Sequence, residues 1–425
     1  KMDAGSRNHS RLGPGSQRIS PIEEMARCNR PTPASAMTRL LVLHRLRPRS
    51  RQTTVDHLLS FGRYLDGVEV VYHGLLEPGV ELLEGVGFDG VILNYDFLSH
   101  RSTVQWRDLS RRFSRVVGEA GRVVAVPQDD YTFSGVLDEA LVGFGVDAVY
   151  SPLESGLELI YPKTLKAGIP VRLALTGYVD PVVLDRVALL ALPLSERPID
   201  IGHRVNFSAP QFGRHARKKG EQAVAVAAAL QGSGLVVDIS VDPADVFFGD
   251  EWFRFLGSCR FTLGHKGGAS LFDRDGSLTA RVNAYVAKHP EASFDEVEAA
   301  CFAGSDGHAV FSATGPRIFD AAMMRTCQIL SPDDYLGVLE PWVHYLPLEE
   351  DLSNLGEVVA AMRDDDLVER VADAAFEVLI ASGDFDYSSF ARGIFETDIE
   401  PFIDASRAVV ALGPYRREVE RLQAL

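Results

Sequence analysis

In the stretch "GPRIFDAAMM", Gly315 to Met324, a proline and an arginine stand at the mouth of a helix-like run, and an aspartate follows one turn in. Pro316 suits a first helical turn because the N–H it lacks has no helical partner there. The remaining N–H groups of such a turn, with the helix dipole, favour an anion. The Arg317 guanidinium adds a fork of donors matched to phosphate oxygens. Asp320 lies on the same face, where it can accept from a ribose hydroxyl. An ordinary capped helix has the same local pattern. A second candidate, "FTLGHKGGASLFDRDG", Phe261 to Gly276, is a strand running into a glycine-rich loop. Gly267 and Gly268 let backbone approach a ligand closely, and His265 and Lys266 stand at the strand's carboxyl end. Asp273, Asp275 and Gly276 read as a tight turn, because the further oxygen ligands of a calcium loop do not follow. Arg204 ends the strand-like "IDIGHR", and Arg214, Arg217, Lys218 and Lys219 crowd the start of the next helix. Cations there oppose the helix dipole, which a bound anion would relieve. After the first strand, His44 is followed by Arg45, Arg47, Arg49 and Arg51, a density suited to a phosphate-rich or acidic ligand or to a solvated loop. Asp129 and Asp130 form a carboxylate pair in "VPQDDY".

Several chemistries are poorly supported. No G-x-G-x-x-G follows a strand with an acid further on, and neither a P-loop nor a nucleophile elbow is present. The chain has 425 residues, 46% hydrophobic and 24% charged, the profile of a globular protein with two or three domains. A net charge of −16 argues against nucleic acid as the main partner. The first 60 residues nevertheless hold 11 Lys and Arg against 4 Asp and Glu, so the basic character is local. The four cysteines, at 28, 259, 301 and 327, have no zinc or disulfide spacing, and a cytoplasmic location is expected. No apolar run is long enough for a transmembrane helix, and the N-terminus lacks the apolar core of a secretory signal.

The elements that must carry these residues alternate. Residues 1–37, rich in Ser, Arg, Pro and Gly, read as a disordered leader or a remnant of expression. Order is expected from "TRLLVLHRL", followed by the helix "TTVDHLLSFGRYL", capped by Thr53 or Thr54. Strands "VEVVYH", "FDGVILNY", "RVVAVPQDD", "VDAVYSP" and "VRLALTGYVD" follow, with helices between. The alternation restarts after "LSERPIDIGHR", with helices over Lys218–Leu230 and Pro316–Met324, strand "CQIL", and one long helix from Asn354 to Ala381. A βαβα pattern means parallel sheets covered by helices. The expected fold is therefore α/β, in two halves, with ligands at the carboxyl edges of the strands and a cleft between. The boundaries are 38–190 for the first half, 191–390 for the second, and 391–425 for a C-terminal helical segment.

Together "VPQDDY", "LTGYVD", "IDIGHR", "EWFRFLGSCRFTLGHKGGASLFDRDG", "GPRIFDAAMMRTCQIL", "YLGVLEPWVHYLPLEEDLSNLGEV" and "SGDFDYSSF" resemble bacterial nucleotide-sugar-dependent glycosyltransferases of the glycosyltransferase-B (GT-B) fold, with a glycosyl-transferases-group-1-like C-terminal domain. The resemblance implies two Rossmann-like domains facing across a cleft, the first for the acceptor and the second for the donor, with the C-terminal helix crossing back onto the first. It implies a nucleotide diphosphate sugar of UDP, GDP or dTDP type as co-substrate, no prosthetic group and no metal. The Pro316–Met324 helix would receive the diphosphate. Arg204 and Lys219, with Lys218 as neighbour, match the basic pair, and His344 would line the donor side. Asn354 would cap the helix after it. His44, His265, Asp129 and Asp130 are the polar candidates near the reacting carbon. Two positions depart from the family: Asp320 replaces the usual glutamate, and Lys266 reverses a usual negative charge. The implied activity is sugar transfer to a glycan or small-molecule acceptor. A non-catalytic nucleotide-sugar-binding or glycan-binding subunit, and a sugar-nucleotide epimerase, are the alternatives. A homodimer and peripheral association with the inner face of a membrane are left open.

Overall fold

The protein is described here as a computed structural model covering residues 24–25, 38–47, 50–404, 406 and 410–423. The leader expected over 1–37 lies outside the described residues except for Glu24 and Met25, and so does Arg49.

The first sheet is built from β1 (Thr38–His44), β2 (Val68–Gly74), β3 (Gly90–Leu93), β4 (Arg122–Ala125), β5 (Ala148–Ser151) and β6 (Val171–Leu173). All pairings are parallel, in the order β2-β1-β3-β4-β5-β6. Its central strand shows why a continuous apolar run reads as a strand here. Side chains alternate across a strand, so Leu41 and Leu43 enter one core with Val91 and Leu93. Leu40 and Val42 enter the opposite core with Val55, Leu58 and Leu59 of the helix Gln52–Tyr64. Both faces are covered, so every residue of the run must be apolar.

The second sheet contains β7 (Ile199–Arg204), β8 (Val237–Ser240) and β9 (Cys259–Gly264). A short antiparallel pair, β10 (Gly267–Ala269) and β11 (Phe311–Ala313), stands apart from it. The sheet is completed by β12 (Cys327–Leu330) and β13 (Leu346–Pro347), parallel in the order β13-β12-β9-β7-β8. In both sheets the first strand lies between the second and the third. The chain therefore reverses its winding direction between β1 and β3, and again between β7 and β9. These are the points where an open parallel sheet leaves a crevice at its carboxyl edge.

The halves are joined in several places. The segment between β10 and β11 lies against the first half, where Asp273 N donates to Tyr131 O and Ser134 N to Asp273 O, each at 2.8 Å. Phe311 and Ala269 belong to the first half's core. The helix Tyr387–Asp398 returns to the helix Gln52–Tyr64, where the Phe390 ring packs at a tilt against the rings of His57 and Phe61, with centroids 4.7 and 5.6 Å away. The final helix, Gly413–Gln423, places the Tyr415 hydroxyl 3.0 Å from both Tyr72 O and His73 Nδ1. The chain thus crosses back onto its first half, as expected.

Local expectations fail where side chains take other partners. Neither Thr53 nor Thr54 caps the first helix; Arg51 stands at its N-cap without a side-chain bond. The long helix expected from Asn354 breaks into Leu355–Ala361 and Asp365–Phe376, because Asp364 Oδ1 accepts from Leu367 N at 3.1 Å and starts a new one. Asn354 accepts from Glu349 N and donates to Pro347 O, so its side chain does not cap the helix that follows. The strand expected through "VRLALTGYVD" ends at Leu173, and Val179 instead exchanges backbone bonds with Phe385 and Tyr387.

Candidate active site

A cavity of about 250 Å³ opens at the carboxyl ends of β7 and β9. His203 and Val205 follow from β7, and Gly264 to Gly267 from β9. Lys219 reaches it from the second turn of the helix Gly213–Ala229. Pro316 and Arg317 close it at the start of the helix Arg317–Met323, and Arg51 enters from the first half. That helix has 7 residues, one fewer at each end than the expected Pro316–Met324, so the pocket's character rests on side chains rather than on a dipole.

Those side chains are cationic. Among the described residues no carboxylate forms an ion pair with Arg51, Lys219 or Arg317. Arg317 Nη1 donates to Arg204 O at 2.6 Å, and its guanidinium lies over Trp252 at 5.6 Å. Burial pulls the Lys219 ammonium below its ordinary pKa, and the Arg317 charge pulls it further, with Asp129 in opposition. Arg317 is lowered by burial as well, against the attraction of Asp320. Three like charges around one cavity repel each other, and a polyanion relieves that. His203, buried and beside the same charges, is lowered to about 3 and stays neutral. His265 is lowered by burial, and its Nδ1 lies 2.6 Å from Lys266 O.

The other sequence candidates lie in varied positions. Arg204 turns away from the cavity: its guanidinium binds Asp238 at 2.8 and 2.9 Å and packs on Phe255 at 4.3 Å. Lys218 pairs with Glu350 at 2.6 Å, outside the cavity. Gly267 lines the cavity, while Gly268, at φ 124°, is needed for the β10–β11 pairing, since a Cβ there would lie 1.9 Å from Phe311 O. Asp320 Oδ2 accepts from Trp252 Nε1 at 2.9 Å, and burial raises its carboxyl to about 6. It does not line the cavity. His344 Nδ1 accepts from Glu340 N at 2.9 Å in the loop before β13, away from the cavity lining.

In the first half, His44 is buried at the end of β1, with Nδ1 accepting from Leu46 N at 3.1 Å, and burial lowers it to about 3. Asp129 is exposed, at φ 51°, and accepts from the Tyr131 hydroxyl at 3.0 Å. Asp130 is buried and accepts from the hydroxyls of Ser151 and Tyr161, each at 2.5 Å. Of the polar pair, only Asp129 is free of the core, and its charge is felt at Lys219.

Lys266 has a partner set that the sequence did not signal. Its ammonium binds Glu154 of the first half at 2.6 Å and Asp333 at 3.2 Å. The other Glu154 oxygen accepts from Thr314 Oγ1 at 2.9 Å. Glu154 stands in a loop with no motif around it, Asp333 in the carboxylate pair of "PDD", and Trp252 in the segment "EWFRFLGSC", where nothing in the sequence gives it a partner. Arg51 was visible only as the last member of an arginine run.

No family model matches the chain, and no curated protein does. Similar solved structures exist. An α-glucosyltransferase in complex with UDP and a 13-mer DNA is 11% identical, with 85% of this chain and 99% of that chain covered and a TM-score of 0.51. Anabaena HepE in complex with UDP and glucose is 13% identical, over 85% of this chain and 99% of that one, at a TM-score of 0.46. A glycosyltransferase from Rickettsia africae is 9% identical, over 88% and 100%, at 0.47. At such identities the likeness is one of fold. With two parallel sheets facing across a cleft and a C-terminal segment crossing back, the architecture is of the glycosyltransferase-B type.

Proposed function

We propose that the protein transfers a sugar from a nucleoside diphosphate donor, held in the cation-lined cavity, to a glycan or small-molecule acceptor presented by the first half. One observation carries this reading: Arg51, Lys219 and Arg317 converge on one cavity at a sheet's winding reversal without a carboxylate partner among the described residues. A diphosphate offers the matching charge. As the bond from the sugar's anomeric carbon to the diphosphate breaks, negative charge grows on the departing oxygens. Fixed cations stabilise that charge without reorganising. Holding donor and acceptor across the cleft supplies the positional part of catalysis. His265, neutral and lining the cavity, is the group placed to take a proton there.

The UDP bound in the similar structures makes UDP the first nucleotide to try. The DNA in one of them is not carried over, because a chain of net charge −16 is a poor match for a phosphate backbone. The test is calorimetric titration with UDP, GDP and dTDP. Binding of one of them near micromolar, about −8 kcal/mol, and its loss in Arg317→Gln, are expected. Failure of all three to bind overturns the reading.

A further inference from the structure

We infer that the carboxyl end of β1 and β3 is a binding site for a phosphorylated polyol, with Arg45, Arg47 and His100 taking the phosphate and Asp96 accepting from a hydroxyl. The binding site stands on its own geometry; its assignment as the acceptor site rests on the transferase reading.

β1 and β3 are neighbours in register, Leu43 opposite Leu93, and the first sheet reverses its winding between them. Arg45 and Arg47 follow β1. Asp96 and His100 follow β3, on the helix Tyr95–Leu98 and the turn Ser99–Ser102. The two segments are tied together where Arg45 N donates to Asp96 Oδ2 at 3.0 Å. The remaining polar atoms are left over. Both ring nitrogens of His100, Asp96 Oδ1 and Arg45 Nε are inaccessible and have no hydrogen-bond partner among the described residues. His100 is 4% exposed and Asp96 8%. Buried polar atoms without partners are rare in folded proteins, and such groups call for a ligand or another physical reason.

The charges point the same way. Burial opposes protonation of His100, and the fields of Arg45 and Arg47 oppose it further. Arg45 is itself disfavoured by burial and by Arg47, with Asp96 offsetting part of that. The surplus is positive, and of the four residues only Arg47 is exposed. Two guanidiniums and an imidazole present more donors than the two oxygens of a carboxylate can use. A phosphate monoester presents three acceptor oxygens. Asp96 Oδ1 repels an anion but suits a hydroxyl donor, so the ligand must carry both groups.

Glycerol 3-phosphate, the simplest such molecule, is the probe, titrated into the full chain by calorimetry beside inorganic phosphate and UDP. Glycerol 3-phosphate is expected to bind more tightly than inorganic phosphate. Losing a charge-assisted bond in Arg47→Gln should weaken it about tenfold, and Arg45→Gln with Arg47→Gln further. UDP affinity should be unchanged in both. Binding that is absent, or indifferent to the double variant, overturns the site. Inorganic phosphate binding as tightly as glycerol 3-phosphate overturns the role of Asp96. If glycerol 3-phosphate binds but no nucleoside diphosphate does, the site stands and the transferase reading falls. Co-sedimentation with vesicles containing phosphatidylinositol 4-phosphate, whose headgroup carries a phosphate monoester beside free hydroxyls, lost in the double variant, would place the polyol phosphate in a lipid headgroup; glycerol 3-phosphate binding without it would place the ligand in solution.

Discussion

Lys266 and Glu154 meet across the cleft at 2.6 Å, one from each half of the molecule. The Lys266 side chain is only 2% exposed, and Asp333 completes its neutralisation at 3.2 Å. Burial alone would lower this lysine's pKa, but Glu154 and Asp333 overcome that and raise it. Removing one partner of such a pair leaves the others unneutralised. Lys266→Ala is therefore expected to destabilise the protein by about 2 kcal/mol, and Lys266→Glu, which gathers three carboxylates, by more. Thermal denaturation measures this; an unchanged midpoint in Lys266→Glu would contradict it.

Lys219 gives a prediction with opposite signs for binding and stability. Its ammonium is half-buried beside Arg317 and Arg51 with no ion pair among the described residues. Lys219→Met removes an unrelieved charge, so the empty protein should gain about 1 kcal/mol. Nucleoside diphosphate affinity should fall at least about tenfold. A variant that loses stability and keeps its affinity would show that Lys219 serves the fold.

The pH dependence of stability should report Asp320. Burial holds its carboxyl near 6 in the native state, against an ordinary value of 3.8. The native protein thus keeps a proton that the unfolded chain releases. The stabilising contribution is full below about 3.8 and is lost as pH rises through about 6. Asp320→Asn has no such loss. Its stability relative to the parent should rise between about pH 4 and pH 7 by about 1–2 kcal/mol. Denaturant titrations at several pH values check this, and a flat difference would count against it.

Gly267 and Gly268 are adjacent but should respond differently. Gly268 is at φ 124° with a Cβ position 1.9 Å from Phe311 O, so Gly268→Ala should cost about 3 kcal/mol. At Gly267 a Cβ meets nothing closer than 3.6 Å, and alanine should be tolerated within about 0.5 kcal/mol. Equal midpoints for the two variants would refute the role of Gly268 in the close β10–β11 pairing.

Much of the fold could be read from local pattern. The run Leu40–Leu43 is apolar at every position because both faces of β1 are covered, and that signature survives in sequence. The two βα series, and a basic character confined to a few segments, follow from residue types and their order. So does the pairing of Pro316 with Arg317 at a helix start. Tertiary structure decided which of several equal candidates face the cavity. Arg204 and Arg317 are both arginines at element ends, yet Asp238 lies beside β7 and neutralises the first, while the second has no carboxylate ion pair among the described residues. Asp129 and Asp130 are adjacent, but a strand-to-loop turn sends one to the surface and the other under Ser151 and Tyr161. The ion pair of Lys266 with Glu154 joins residues 112 positions apart. Contacts at that separation depend on how two sheets dock, which short-range periodicity does not encode.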